Sequence, residues 1–104
     1  MSLFTKIINR ELPSDIVYEQ SDIIVIKDIN PQAKTHLLII PKKEISTIND
    51  LEEIDRPLIS EMFFVAKKVA KDLNIDEWYK LNFNVWKKWW QEVMHIHLHL
   101  LSNI

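Results

Sequence analysis

With 104 residues and a formal net charge of −2, the chain has room for one small domain, residues 1–104, and offers no basic field to a nucleic-acid duplex. The absence of cysteine excludes disulfides and thiolate-held zinc, and no apolar run nears the ~18 residues of a membrane span. A hydrophobic content of 47% and a charged content of 27% are those of a soluble globular protein. The opening Met1-Ser2-Leu3-Phe4-Thr5-Lys6 lacks a signal-peptide core, so a cytoplasmic location is expected.

Leu3, Phe4, Ile7 and Ile8 recur at i, i+3/i+4 and predict a short amphipathic helix over 3–9, broken at Leu12-Pro13-Ser14-Asp15. Two β-branched runs, 16–20 and 23–28, flank Ser21-Asp22 and predict a hairpin. Asn30-Pro31-Gln32-Ala33 is a turn, and Lys34 to Ile40 a third strand ended by Pro41-Lys42-Lys43. Residues 44–54 read as a connection with one helical turn. Asp55 is placed to N-cap a long helix with Pro57 near its first turn. Apolar residues from Leu58 to Leu73 keep helical spacing for about four turns. Trp78 to Val85 and Val93 to Leu101 complete the set as fourth and fifth strands. The expected class is α+β: a mainly antiparallel meander of about five strands with one short and one long helix.

One total is abnormal, because the chain has no glycine. Average usage of ~7% would give roughly seven in a chain of this length. Glycine serves positions of positive φ and tight turns, so its absence from a multi-stranded domain needs a cause. Four tryptophans accompany it, three of them inside Trp86-Lys87-Lys88-Trp89-Trp90.

Chemistry is concentrated in His95-Ile96-His97-Leu98-His99-Leu100-Leu101. Period-2 alternation reads as a strand with three imidazoles on one face. Three neighbouring groups that titrate near neutrality are a costly way to fill a core. Along a strand, His95 and His99 would stand roughly 13 Å apart, so the three cannot readily share one ion with ~2.0–2.1 Å bonds. Two of them with His36 from another strand could. The other reading is nucleophilic: a neutral imidazole attacks phosphorus, forms a phospho-histidine and is released by water. The residues by themselves leave both readings open.

The run matches the histidine-triad signature, His-φ-His-φ-His-φ-φ, and the chain resembles the histidine triad (HIT) superfamily, in particular its nucleoside-phosphoramidase branch. Leu3 to Pro13 looks like that family's opening helix and turn. Val25 to Ala33 and His36 to Lys43 look like its central block. Asn84 and Gln91-Glu92-Val93 look like the segment entering the triad. The resemblance implies a HIT-like fold and hydrolysis of nucleoside phosphoramidates or related nucleotidyl bonds, with no metal or cofactor. It implies His97 as nucleophile on the α-phosphorus of a purine nucleoside monophosphate derivative, oriented by His95 and His99 and supported by His36. Asp28 would accept from the ribose hydroxyls, and Leu3, Phe4, Ile7, Ile26 and Ile29 would line the purine pocket. Asn84, Gln91, Glu92 and Val93 would bound the phosphate, Asn84 and the Glu92–Val93 backbone holding it. Homodimers formed through the long helix and a shared sheet are common in the family.

Plainer readings stand beside these. His36 alternates with Leu38 and Ile40 as a satisfied core residue would, and Asp28 also fits a strand-end cap. The aliphatic set would pack any core, and the Glu92 charge is unfavourable beside phosphate unless it points away.

The departures from the family fall where glycine is usual. Its stretch Asn-x-Gly-x-x-Gly-Gly-Gln reads here Asn84-Val85-Trp86-Lys87-Lys88-Trp89-Trp90-Gln91. Trp78 and Ser102-Asn103 also stand at glycine positions, Lys34 where proline is frequent, and Glu44 where histidine often follows the lysine pair. Replacing glycine at positive φ costs roughly 1–2 kcal/mol per position, against a total stability near 5–15. The pattern points to an engineered HIT scaffold, its indoles building a contact surface or filling a cleft. An alternative function follows: a binding or self-assembly module with weak or no catalysis.

Overall fold

A computed structural model describes residues 1–104. The elements are α1 (Leu3–Ile8), β1 (Ile16–Glu19), β2 (Ile23–Lys27), β3 (Thr35–Pro41), α2 (Arg56–Asp72), β4 (Lys80–Asn82) and β5 (Leu98–Ser102). The five strands form one antiparallel sheet in the order β1-β2-β3-β5-β4. This is the α+β arrangement expected, with one short and one long helix, but it is not a simple meander. β5 inserts between β3 and β4, which puts the triad segment inside the sheet and leaves β4 at its edge.

Both faces of the central strands are covered. Alternate residues Ile23, Val25, Leu37, Ile39, Leu98 and Leu100 meet the buried stripe of α2, which includes Met62, Val65, Ala66 and Val69. The opposite alternation, Ile24, Ile26, Leu38 and Ile40, is capped by Phe4 and Ile7 of α1. This explains why β2 and β3 read as continuous apolar runs rather than alternating ones. It also sorts the histidines. With Leu37 and Ile39 on the α2 face, His36 falls on the α1 face; with Leu98 and Leu100 on the α2 face, His99 does too.

Both helices end in a Schellman motif without glycine. In α2 the Ile75 N–H donates to the Ala70 carbonyl and the Asn74 N–H to the Lys71 carbonyl, with Asn74 at φ 60°. In α1 the same pair runs from Glu11 to Lys6 and from Arg10 to Ile7, with Arg10 at φ 63°.

Three local expectations change. Asp55 does not cap α2 with its side chain. Its carboxylate accepts from the Glu52 N–H at 2.9 Å and from Lys43 Nζ at 2.5 Å, closing the 3-10 turn before the helix. β4 spans only Lys80–Asn82, because the chain leaves the sheet for the loop that begins at Asn84. β5 starts at Leu98, so of the triad only His99 lies on a regular strand. The segment before it is held by other bonds: the Ile96 N–H donates to the Ile45 carbonyl at 2.8 Å.

Candidate active site

Phe4, at the base of α1, stands edge-on to His95 and His97 with ring centroids 5.7 and 5.0 Å away. His97 and His99 lie 4.9 Å apart, and His99 and His36 5.2 Å, centroid to centroid. The four imidazoles therefore form one row between α1 and β3, although the strand expected to present them is only partly regular.

Carbonyl partners fix the protons. His97 Nδ1 is 2.8 Å from the His95 carbonyl, and an oxygen without hydrogen can only accept, so Nδ1 carries the proton. Nε2 is then an unprotonated lone pair. No buried side-chain nitrogen lacks a partner, and Nε2 has none, so this atom opens to solvent although His97 is only 6% exposed. Burial pushes the His97 pKa below its ordinary value, against the raising effect of the His95 carbonyl. The ring is thus neutral and aimed outward at neutral pH, as a nucleophile must be.

A second chain of bonds starts at Gln32. Its N–H donates to His36 Nδ1 at 3.1 Å, which leaves the His36 proton on Nε2. That proton faces His99 Nδ1 at 2.9 Å and Asp28 Oδ2 at 3.4 Å. His99 therefore carries its proton on Nε2, 3.4 Å from Asn84 Nδ2. The Asn84 amide is oriented by Asn82, which donates to its Oδ1, and by the Trp90 carbonyl, which accepts from its Nδ2. Two donors, His99 Nε2–H and Asn84 Nδ2–H, thus converge with no acceptor between them. An anionic oxygen is what such a pair fits. Burial, with the neighbouring His97 and His36, lowers the His99 pKa to about 4.

Asp28, His36 and His99 bring one donor atom each within 4.8 Å of one another, a spacing that would admit a metal ion. The tautomers do not fit one. A metal-bound histidine normally donates its second N–H, but His36 Nδ1 accepts from Gln32 and leaves the proton where the metal would bind. The trio shares the one His36 Nε2 proton.

The remaining expected residues divide. Phe4, Ile7 and Ile26 are buried together, with Val93 half-buried against them. Leu3 is half-exposed, and Ile29 is 86% exposed on the loop after β2, so neither joins that buried group. Asp28 holds the Asn30 N–H on Oδ1 at 2.9 Å, so it makes the strand-end turn as well as facing His36. Glu92 is exposed. The Gln91 side chain is spent on the loop itself: it accepts from the Trp86 N–H and donates to the Ser46 and Val93 carbonyls at 2.8, 2.6 and 3.1 Å. It is a staple, with no donor left for a phosphate. Ser2, unremarked in the sequence, contacts His95; a serine just before an apolar helical run was the available signal.

A neutral buried imidazole with an open lone pair, beside two converging donors, gives this α+β protein one candidate nucleophile and one candidate anion subsite. Residues 2–104 match the family model described as scavenger mRNA decapping enzyme C-term binding. The purine nucleoside phosphoramidase of Escherichia coli K12 is 45% identical over 102 residues, covering 97% of this chain and 86% of that protein. The crystal structure of a HIT family hydrolase from Legionella pneumophila Philadelphia 1 superposes with a TM-score of 0.96 at 48% identity, covering 100% of this chain and 94% of that one. A HIT family hydrolase from Clostridium thermocellum gives 0.94 at 42% identity over 99% of this chain and 90% of its own. The chain belongs to the histidine triad family.

Proposed function

We propose that the protein hydrolyses purine nucleoside phosphoramidates through a covalent phospho-histidine. His97 Nε2 attacks the α-phosphorus, a nitrogen–phosphorus bond forms, and the bond to the leaving amine breaks as the amine takes a proton from solvent water, which the later hydrolysis returns. Water then cleaves the adduct, releasing nucleoside monophosphate and restoring the neutral ring. The observation that carries this reading is the tautomer of His97, whose single open atom is an unprotonated nitrogen. The donor pair of His99 and Asn84 supports a place for the phosphoryl oxygens, which the Glu92–Val93 backbone would also contact. Asp28 accepts from the ribose, Phe4, Ile7 and Ile26 floor the base site, and Leu3 and Ile29 supply its rim. The phosphoramidase relative at 45% identity supports the same substrate class.

Two further parts of the proposal concern the surface. Exposed Phe63 and Phe64 on α2 support a homodimer formed along that helix. Trp86 at φ 73° and Trp90 at φ 64° support the replacement of glycine in the loop, since both occupy conformations natural to it. The exposed indoles also favour the second reading, a binding module that holds the nucleotide without turning it over.

The test is release of amine from a fluorogenic adenosine phosphoramidate by the protein and by His97→Ala. Loss of the nucleophile is expected to lower kcat/KM by roughly a thousandfold or more. Equal rates end the enzymatic reading. Binding of adenosine monophosphate without turnover selects the module.

A further inference from the structure

We infer that Ser2, the N-cap of α1, is a positioning residue for the triad, its hydroxyl proton holding the buried His95 ring and through it the carbonyl that fixes the His97 tautomer. His95 is fully buried, with Nε2 2.7 Å from the Pro41 carbonyl. That carbonyl only accepts, so Nε2 carries the proton and Nδ1 is a lone pair that needs a donor. Ser2 Oγ, 2.6 Å away, is the donor, its one proton turned to the ring in preference to Thr5 Oγ1 at 3.2 Å. The same oxygen accepts from the Thr5 N–H at 3.0 Å, which is the cap bond of α1. One hydroxyl therefore ends the helix with its lone pair and satisfies a buried imidazole with its proton.

Ser2 is itself fastened. Its N–H donates to Glu44 Oε1 at 2.5 Å, and Thr5 Oγ1 donates to the same oxygen at 2.6 Å. These two bonds, Thr5 first, hold the Glu44 carboxyl down to about 2, so the anchor stays charged above that pH. The His95 backbone carbonyl in turn accepts from His97 Nδ1 at 2.8 Å. A His95 ring free to turn would move that carbonyl and loosen the proton arrangement that leaves the nucleophile's Nε2 bare.

Capping and donation separate by substitution. Ser2→Thr keeps both. Ser2→Asp keeps the cap but presents an acceptor to His95 Nδ1, which draws a proton onto the ring. The charged and titratable groups facing that ring are then the new carboxylate, Glu44 and His97. The kinetic readout rests on the proposed hydrolysis, so it is paired with nitrogen-15 NMR of the His95 ring, which does not. Ser2→Thr is expected within about twofold of the parent in kcat, and Ser2→Asp to lose roughly tenfold with KM within about twofold, the rate equivalent of one hydrogen bond. The acid limb of its pH–rate profile moves to higher pH, because a carboxylate favours the imidazolium at position 95. In Ser2→Ala the Nδ1 resonance moves to that of an unprotonated nitrogen without a donor. Ser2→Asp with the parent's kcat and pH profile would overturn the inference, leaving Ser2 a helix cap only. So would an Nδ1 resonance unchanged in Ser2→Ala, and this arm decides even if no phosphoramidate is turned over.

Discussion

Between His95 and His99 each imidazole is held by at least one hydrogen bond of 2.6–2.9 Å, whereas between Trp86 and Trp90 the chain twice adopts positive φ under an exposed indole. The segments are neighbours in sequence and meet where Asn84 lies between His99 and the Trp90 carbonyl. The triad keeps its geometry because burial and donors fix each proton. The loop keeps its geometry in spite of its own side chains, because Gln91, 2% exposed, ties it to Ser46 and Val93. Both segments are tied from elsewhere in the chain, the triad at His95 and His99 and the loop through the one side chain of Gln91.

Removing that external tie has the largest expected effect on stability. Gln91→Ala leaves the Ser46 and Val93 carbonyls and the Trp86 N–H without their partner. The expected loss is roughly 3 kcal/mol, or a fall in Tm of about 15 °C. A fall of under about 3 °C would show that the loop holds itself and would remove the contrast with the triad.

Glycine substitutions grade the loop position by position. Trp86, at φ 73° and ψ 160°, lies in a region that is essentially glycine-only, while Trp90, at φ 64° and ψ 25°, is left-handed helical. Relief of about 1–3 kcal/mol at Trp86, less about 1 for the entropy glycine adds to the unfolded chain, predicts a net gain of up to about 2 kcal/mol for Trp86→Gly. Trp90→Gly gains less, under about 1 kcal/mol, since the left-handed helical region is less forbidding. Trp89 has no positive φ and forms part of a 3-10 turn, so Trp89→Gly should destabilise. Urea denaturation of the three variants gives the order, and any gain at Trp89 matching that at Trp86 would refute the strain argument.

Acid sharpens the comparison from the triad side. His95, His97 and His99 all have pKa values below the ordinary 6.5, burial being the first cause in each. The kcat midpoint on the acid side should therefore lie below pH 6.5. The unfolded chain binds more protons than the folded one as pH falls through 6.5, so these histidines lower stability from there toward the folded His99 value of about 4. Glu44 acts in a lower window: its contribution is whole above its ordinary 4.5 and fades as pH falls toward about 2. Chemical denaturation at steps from pH 7 to 4 should show the histidine loss first. An acid midpoint at or above 6.5 would mean that the triad is hydrated and not buried.

Much of this was legible in the residues. The 3.6-residue spacing of α2 and the β-branched runs of β1–β3 carried most of the fold, since burial imposes those periods. The row of histidines was legible for the same reason. What did not show was partner choice across long separations: β5 beside β3, Ser2 on His95 93 residues away, Gln91 on Ser46 45 residues away. Alternation also overstated β5, because His95 and His97 keep the period while their backbone bonds go elsewhere. Gln91 looked like a phosphate neighbour by position, yet its amide is consumed locally, which no spacing rule reveals.

The smallest expected effect tests whether positive φ is costly wherever it occurs. Arg10 holds φ 63° at the end of α1, close to Trp90, but there the conformation serves two Schellman bonds, and the guanidinium pairs with Glu19. Arg10→Gly relieves roughly 1 kcal/mol of backbone strain, and it gives up both an ion pair worth about 0–1 kcal/mol and the entropy that glycine adds to the unfolded chain. The balance is a loss of about 0–1 kcal/mol, so Tm should fall by no more than about 5 °C. Raising the salt concentration screens the pair in the parent and not in the variant, so the balance tips toward glycine. A gain at Arg10 as large as at Trp86, at low salt, would mean that the left-handed region itself, rather than the extended positive-φ geometry of Trp86, sets the cost of the loop.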